Sequence, residues 1–253
     1  MADLDGKSAL VTGGSHGIGL AIAVALAREG ARVAVNYLAG YDDRRGVQLS
    51  DALQQLRQYD PEAVALPGDV AEEAAVTSMF RAAHETFGGF DILVNNAGFL
   101  SLSTVEEMTL KQWDRMIAVH LRGTFLVTRA ALPHMLAQQH GRIINIASQI
   151  AQIGKLQYAH YAAAKAGIIG FTRALARETA GRDVLVNCIA PGAVHTGIVP
   201  TSADAPLPTY GHLPIGRVGQ PEEIAPSAVF LAGTSSTFYT GQTLGPNGGE
   251  VMF

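Results

Sequence analysis

The chain has 253 residues, enough for one large α/β domain or two smaller ones; 48% hydrophobic and 16% charged residues exclude a disordered polymer and fit a sheet covered on both faces. A formal charge of -4 with no basic run gives no general attraction for nucleic acid or anionic lipid, so neither is expected as a partner. No apolar stretch approaches the ~18 residues needed to cross a bilayer, and Met1 to Lys7 lacks the pattern of a secretory leader, so a cytoplasmic setting is expected.

Short β-prone runs alternate with longer helical ones. Ala9-Leu10-Val11 leads through a glycine-rich turn into an alanine-rich helix expected from Ile18 to Glu29. Strands are then expected at Val33 to Val35, Val64 to Leu66, Ile92 to Val94, Ile143 to Ile146 and Val184 to Val186, with helices from Arg45 to Gln58, Glu72 to Phe87, Lys111 to Gln138 and Tyr158 to Thr179 between them. Pro221 suits the first position of one more helix, with Glu222 and Glu223 in its first turn; Pro226 inside it removes a hydrogen bond and should kink it. Thr240 to Leu244 completes the set as a last strand. Gly197 to Pro214, with prolines at 200, 206, 208 and 214, has no such pattern and is expected as a substrate loop. No repeat or linker divides the chain. The expectation is an α/β fold: a single doubly wound, Rossmann-type domain over 1–253, with a parallel sheet of about seven strands and helices on both faces. Such a sheet places its site at the carboxyl ends of the strands.

After the first strand, Thr12-Gly13-Gly14-Ser15-His16-Gly17-Ile18-Gly19 opens a helix. Glycines let a backbone turn tightly against a pyrophosphate, whose charge meets the N–H groups of the helix start. At the end of the second strand an acid would bond both ribose hydroxyls of NAD and repel a 2′-phosphate. Asn36 stands there instead, and His16 in the glycine turn with Arg44 or Arg45 nearby could meet a phosphate, so the pocket leans toward NADP(H), with NAD(H) the alternative.

Tyr158, Tyr161 and Lys165 are spaced by three and four residues, which puts all three on one helix face. A phenol with a pKa near ~10 is a poor acid-base catalyst at neutral pH. A neighbouring ammonium stabilises the phenolate and lowers that pKa. Ser148, just past the fifth strand and thirteen residues ahead of Tyr161, offers a hydroxyl to a substrate carbonyl. Cys188, the sole cysteine, lies in an apolar run and reads as an inert buried thiol.

The Gly-x-x-x-Gly-x-Gly turn, Asn95-Asn96-Ala97-Gly98 after the fourth strand, and the Ser148, Tyr161, Lys165 spacing together resemble the short-chain dehydrogenase/reductase family along essentially the whole chain. The resemblance implies an NAD(P)-dependent enzyme that interconverts a ketone and a secondary alcohol, needs no metal, and has as partner only its small carbonyl or alcohol substrate. It implies Tyr161 as proton donor or acceptor, Ser148 as the substrate-orienting hydroxyl, and Lys165 as ribose ligand and perturber of Tyr161. Cofactor contacts are implied at Gly13, Ser15, His16, Gly17, Ile18 and Gly19, at Asn36, at Asp69 (toward the adenine) and Val70, at Asn95, Ala97 and Gly98, and at Pro191, Gly192, Val194 and Thr196, the last four in a segment that resembles the family's nicotinamide-carboxamide loop. A homotetramer is implied, with the helices around Lys111 to Gln138 and Tyr158 to Thr179 at one interface and Gly241 to Phe253 at another.

One position departs from the family. His120 stands where a catalytic asparagine is usual. Either the position works through its main-chain carbonyl, which in the family holds a water linked to the lysine, or the imidazole joins a proton relay. Three alternatives stay open. Tyr158, seven residues before Lys165, has the spacing of the related enoyl reductases; sugar and alcohol dehydrogenases share the carbonyl-reducing pattern; and a nucleotide sensor could keep the fold without the chemistry. The pattern is closest to 3-oxoacyl-[acyl-carrier-protein] reductase-like members.

Overall fold

The structure is a computed structural model that describes residues 4–40, 49–196 and 213–252. In chain order its strands are β1 (Ser8–Val11), β2 (Arg32–Tyr37), β3 (Val64–Pro67), β4 (Ile92–Asn95), β5 (Gly141–Ile146), β6 (Val184–Ile189) and β7 (Thr243–Leu244). All pair in parallel, in the order β3-β2-β1-β4-β5-β6-β7. The order reverses direction between β1 and β4, and the crevice at that switch is where a doubly wound sheet binds its ligand.

The helices are α1 (Gly17–Arg28), α2 (Leu49–Leu56), α3 (Glu73–Phe87), α4 (Leu110–Ile117), α5 (Gly123–Ala137), the short α6 (Ile150–Ile153), α7 (Ala159–Thr179) and α8 (Pro221–Ala232). Alternate residues of β1 show why its run is wholly apolar. Ala9 and Val11 pack on one face with Ile22 and Leu26 of α1 and Ile224 and Leu231 of α8, while Leu10 packs on the other with Met79 of α3, Val127 of α5 and Leu175 of α7. Both sheet faces are dry, so period-two alternation disappears from the central strands. Among the described residues no helix is long and apolar enough to cross a membrane.

Three expected elements differ in detail. The helix from Lys111 to Gln138 is interrupted by a π-helical turn, Ala118–Arg122, which joins α4 to α5 and carries His120. The Thr124 hydroxyl of α5 donates to His120 O at 2.7 Å, side-chain competition for a helical carbonyl of the kind that bends helices. α8 begins at Pro221 as expected and runs unbroken through Pro226. The last strand is shorter than Thr240 to Leu244 because Gly241 has φ +70 and turns the chain out of extended geometry, although Gly241 N and Cys188 N still close hydrogen bonds between this segment and β6. The Gly197 to Pro214 loop falls almost entirely outside the described residues, as do Arg44 and Arg45.

Candidate active site

The turn between β1 and α1 is built from backbone contacts that leave no room for side chains. A Cβ on Gly19 would lie 2.2 Å from Gly13 O, and one on Gly13 would lie 2.9 Å from Ala97 Cα. Gly13 and Gly17 have φ +60 and +54, a region that favours glycine. His16, extended at φ -160, precedes α1, whose first turn carries no acid, so its N–H groups keep their positive end for an anion. Thr12 braces the turn against β4: its Oγ1 accepts from Asn96 N at 2.9 Å and from Ala97 N at 3.0 Å. The Asn96 amide donates to Thr12 O and Gly13 O, both at 3.0 Å.

Two cavities flank this turn, and Gly13, His16 and Gly98 line both. One, of about 280 Å³, is walled by Leu38, Asp69, Val70, Ala97 and Arg115 among others and suits an adenine end. The other, of about 200 Å³, is walled by Ile18, His120, Ser148, Tyr161, Lys165, Pro191, Gly192, Val194 and Thr196. A paired cavity bent around this glycine turn fits a dinucleotide. Gly192 belongs to the same design, since a Cβ there would lie 2.7 Å from Asn247 Cα.

One expected cofactor contact, Asn95, is spent elsewhere, and another, Asn36, is shared between the cavity and the fold. Asn36 is only 2% exposed; its Oδ1 takes Gly13 N at 3.4 Å, and its Nδ2 donates to Leu66 O at 3.2 Å and Gly68 O at 3.0 Å. It ties the glycine turn to the β3 loop and lines the adenine-end cavity together with Leu38, the residue just beyond β2. Asn95, the last residue of β4, points into the core, where its amide donates to Thr128 Oγ1 at 2.9 Å and to Asn145 Oδ1 at 2.8 Å; its neighbour Asn96 lines the cavity. Asp69 holds Ala71 N at 2.9 Å and Arg115 at 2.8 Å at the edge of the adenine-end cavity. Ser15, also buried, has its hydroxyl 3.1 Å from His16 Nδ1.

Ser148, Tyr161, Lys165 and His120 converge. Ser148 and Tyr161 line the same cavity, and the Ser148 hydroxyl pulls the Tyr161 phenol toward ionisation. Lys165 Nζ donates to Ile146 O at 2.7 Å and sits 5.6 Å from the centre of the Tyr161 ring. The His120 ring meets the Tyr161 ring edge-on at 5.3 Å. Tyr158 precedes α7, its ring 6.0 Å from that of Tyr161 and with the Lys155 ammonium 5.4 Å from its centre.

The electrostatics depart from the sequence expectation. Burial pushes the Tyr161 phenol up to about 12, outweighing the Ser148 hydroxyl that pulls it down. The expected lowering by Lys165 does not appear; that ammonium is itself drawn down to about 8 by burial and donates to Ile146 O. His120 is held well below the ordinary histidine range by burial and by the Lys165 charge, so its imidazole is neutral at physiological pH. Burial pushes the Cys188 thiol up to about 12, which makes it inert.

Residues 13–250 match a family model described as Enoyl-(Acyl carrier protein) reductase. The chain is 39% identical to a 3-oxoacyl-[acyl-carrier-protein] reductase of Synechocystis sp. over all of both chains. The chain belongs to the short-chain dehydrogenase/reductase family. It is also 39% identical to the corresponding FabG reductase of Vibrio cholerae over 99% of each, and 37% identical to that of Staphylococcus aureus strain Mu50 over 97% of this chain and 98% of the relative. A crystal structure from Sinorhizobium meliloti 1021, provisionally described as a short-chain alcohol dehydrogenase, superposes with a TM-score of 0.90 at 37% identity over 98% of this chain and 97% of the other. This short-chain dehydrogenase/reductase is an NAD(P)-dependent oxidoreductase that interconverts a ketone and a secondary alcohol.

The sequence reading did not single out Thr12, Leu38, Phe99, Leu100 or Glu250, all of which brace or line the site. Thr12, at the edge of the glycine turn, was the one within reach of a sequence signal; Glu250 sits in a tail with no pattern.

Proposed function

We propose that the chain reduces a 3-oxoacyl thioester to the 3-hydroxyacyl thioester, with NADPH preferred over NADH, in the cytoplasm and as a homotetramer. The observation that carries the reading is the convergence of Ser148, Tyr161 and Lys165 on one cavity beside the glycine turn. A ketone oxygen placed between the Ser148 and Tyr161 hydroxyls receives two hydrogen bonds where negative charge develops, and Tyr161 Oη delivers the proton. When bound, the nicotinamide supplies the hydride. Lys165, on the same helix face, is positioned to hold the ribose hydroxyls. Gly192 and Thr196, in the wall of the same cavity, would orient the carboxamide.

The names of the curated relatives support carbonyl over C=C reduction, as does the hydroxyl of Ser148 beside Tyr161 rather than an apolar wall. NADPH preference rests on the absence of an acid at Asn36 and Leu38 and on His16 at the turn. Leu110, Trp113 and Phe125, exposed on α4 and α5, support the tetramer, which light scattering would test by mass. The deciding assay follows NADPH consumption with an acetoacetyl thioester and with the matching crotonyl thioester. Turnover of the first alone is expected; turnover of the second alone would overturn the reading in favour of enoyl reduction.

A further inference from the structure

The cavity around Ser148 and Tyr161 has a polar wall for which the reaction itself has no use. Gln149 follows Ser148 directly, and its backbone N–H donates to Pro191 O at 3.1 Å, which fixes where its side chain starts. That side chain is 4% exposed, and its Nε2 donates to the carboxylate of Glu250, which reaches in from the tail beyond β7. Both residues line the cavity that holds Tyr161. Chemistry sets the amide orientation: turned over, its oxygen would face a carboxylate. Oε1 is therefore the other atom of that amide, and it is buried with no hydrogen-bond partner. Amide and carboxylate oxygens can only accept, and a buried acceptor left unmatched is costly.

We propose that Gln149 and Glu250 form a substrate-selecting subsite that accepts a hydrogen bond from a hydroxyl or amide N–H carried by the ketone substrate a few bonds from its carbonyl. An all-carbon chain in the same place would lay methylenes on a carboxylate and leave Oε1 unmatched. Sites built to bond a substrate donor discriminate strongly against analogues that lack it. The inference rests on the ketone-reducing reading and narrows it. The donor has two possible sources, the acyl side of the ketone or the thiol arm of a thioester.

The test compares kcat/KM for the acetoacetyl S-ethyl thioester, which has no donor, with acetoacetyl N-acetylcysteamine, which carries an N–H on the thiol arm, and with the γ-hydroxyacetoacetyl S-ethyl thioester, which carries a hydroxyl on the acyl side. Butanone and its terminally hydroxylated form make a second, thioester-free pair. One donor-bearing substrate is expected to lead by about tenfold or more, chiefly through KM, and which one leads identifies the source. Glu250→Met and Gln149→Leu should erase that lead while gaining on the donor-free thioester, and Glu250→Gln should keep part of it. A wild-type enzyme that treats the substrates alike, or variants that lose equally on all of them as a mere tail clasp would, overturns the subsite. If no thioester is reduced but the ketones are, the thioester reading fails by itself, and the ketone pair decides the subsite on the same criterion.

Discussion

Lys165 illustrates how a catalytic group can weaken the fold that holds it. It is 4% exposed, and burial brings its ammonium from 10.5 to about 8. At 1.36 kcal/mol per pKa unit, that fall corresponds to about 3 kcal/mol of stability withheld from the folded state. The folded-state pKa lies below the unfolded one, so the unfolded chain binds more protons between about 8 and 10.5. Stability therefore rises with pH across that window, and below it the whole cost is present. Lys165→Met removes the buried charge but deprives Ile146 O of the donor at 2.7 Å, an offset of about 1 kcal/mol. The expected variant is inactive yet more stable by about 2 kcal/mol at about pH 7, which raises Tm by roughly 4–8 °C for a chain of this size. Thermal unfolding followed by circular dichroism at about pH 7 and about pH 10 reads both signs, because the advantage should shrink at the higher pH. A variant with a lower Tm at neutral pH, or an advantage independent of pH, would refute the reasoning.

Tyr161→Phe should lower kcat about a hundredfold or more while leaving nucleotide affinity by fluorescence titration nearly unchanged, and Tyr158→Phe should be much milder; the reverse order would favour C=C reduction. Asn36→Asp should cost about 1–3 kcal/mol in urea unfolding and gain little NADH activity, because a carboxylate cannot donate to Leu66 O and Gly68 O. Leu38→Asp puts the charge into the cavity and should shift the NADPH/NADH ratio of kcat/KM toward NADH by roughly tenfold; an unchanged ratio counts against the adenine-end assignment. His120 has a folded-state pKa held below its unfolded value, so it makes stability fall as pH drops below about 6.5. His120→Asn should therefore lose less Tm between about pH 7 and about pH 5 and leave the kcat profile without a missing titration; a displaced pH optimum would show that the imidazole carries protons.

The sheet was legible because covering both faces makes each central strand a continuous apolar run, and the glycine turn because only glycine meets Gly13 φ +60 and the 2.2 Å approach at Gly19. The Ser148, Tyr161 and Lys165 set was legible because helical spacing and the strand end place it. Asn36 does line the adenine-end cavity, but nothing local reveals that its amide is already engaged with Gly13 in the glycine turn and with Leu66 and Gly68 at the end of β3. Asn95 could have been read by parity, since Leu93 faces the core beneath α5 and α7 and the residue two along must face the same way. The direction of the Tyr161 shift was beyond sequence, because it depends on how deeply the fold buries the phenol.

The same accounting explains what histidine changes at position 120. Phe99 presents both its N–H and its carbonyl to one imidazole nitrogen, with His120 Nε2 at 3.2 Å from the first and 2.8 Å from the second. A single nitrogen can donate or accept but not both, and the ring's other nitrogen is buried without a partner. A primary amide would carry a donor and an acceptor on separate atoms and could serve both Phe99 groups, so asparagine is the better fastener of that loop. Histidine fills the space instead: a Cβ on Gly98 would lie 2.3 Å from its ring, and it meets Tyr161 edge to face. The imidazole therefore shapes the wall behind the catalytic phenol and stays uncharged beside Lys165, where a second cation would further oppose the ammonium that ribose binding requires.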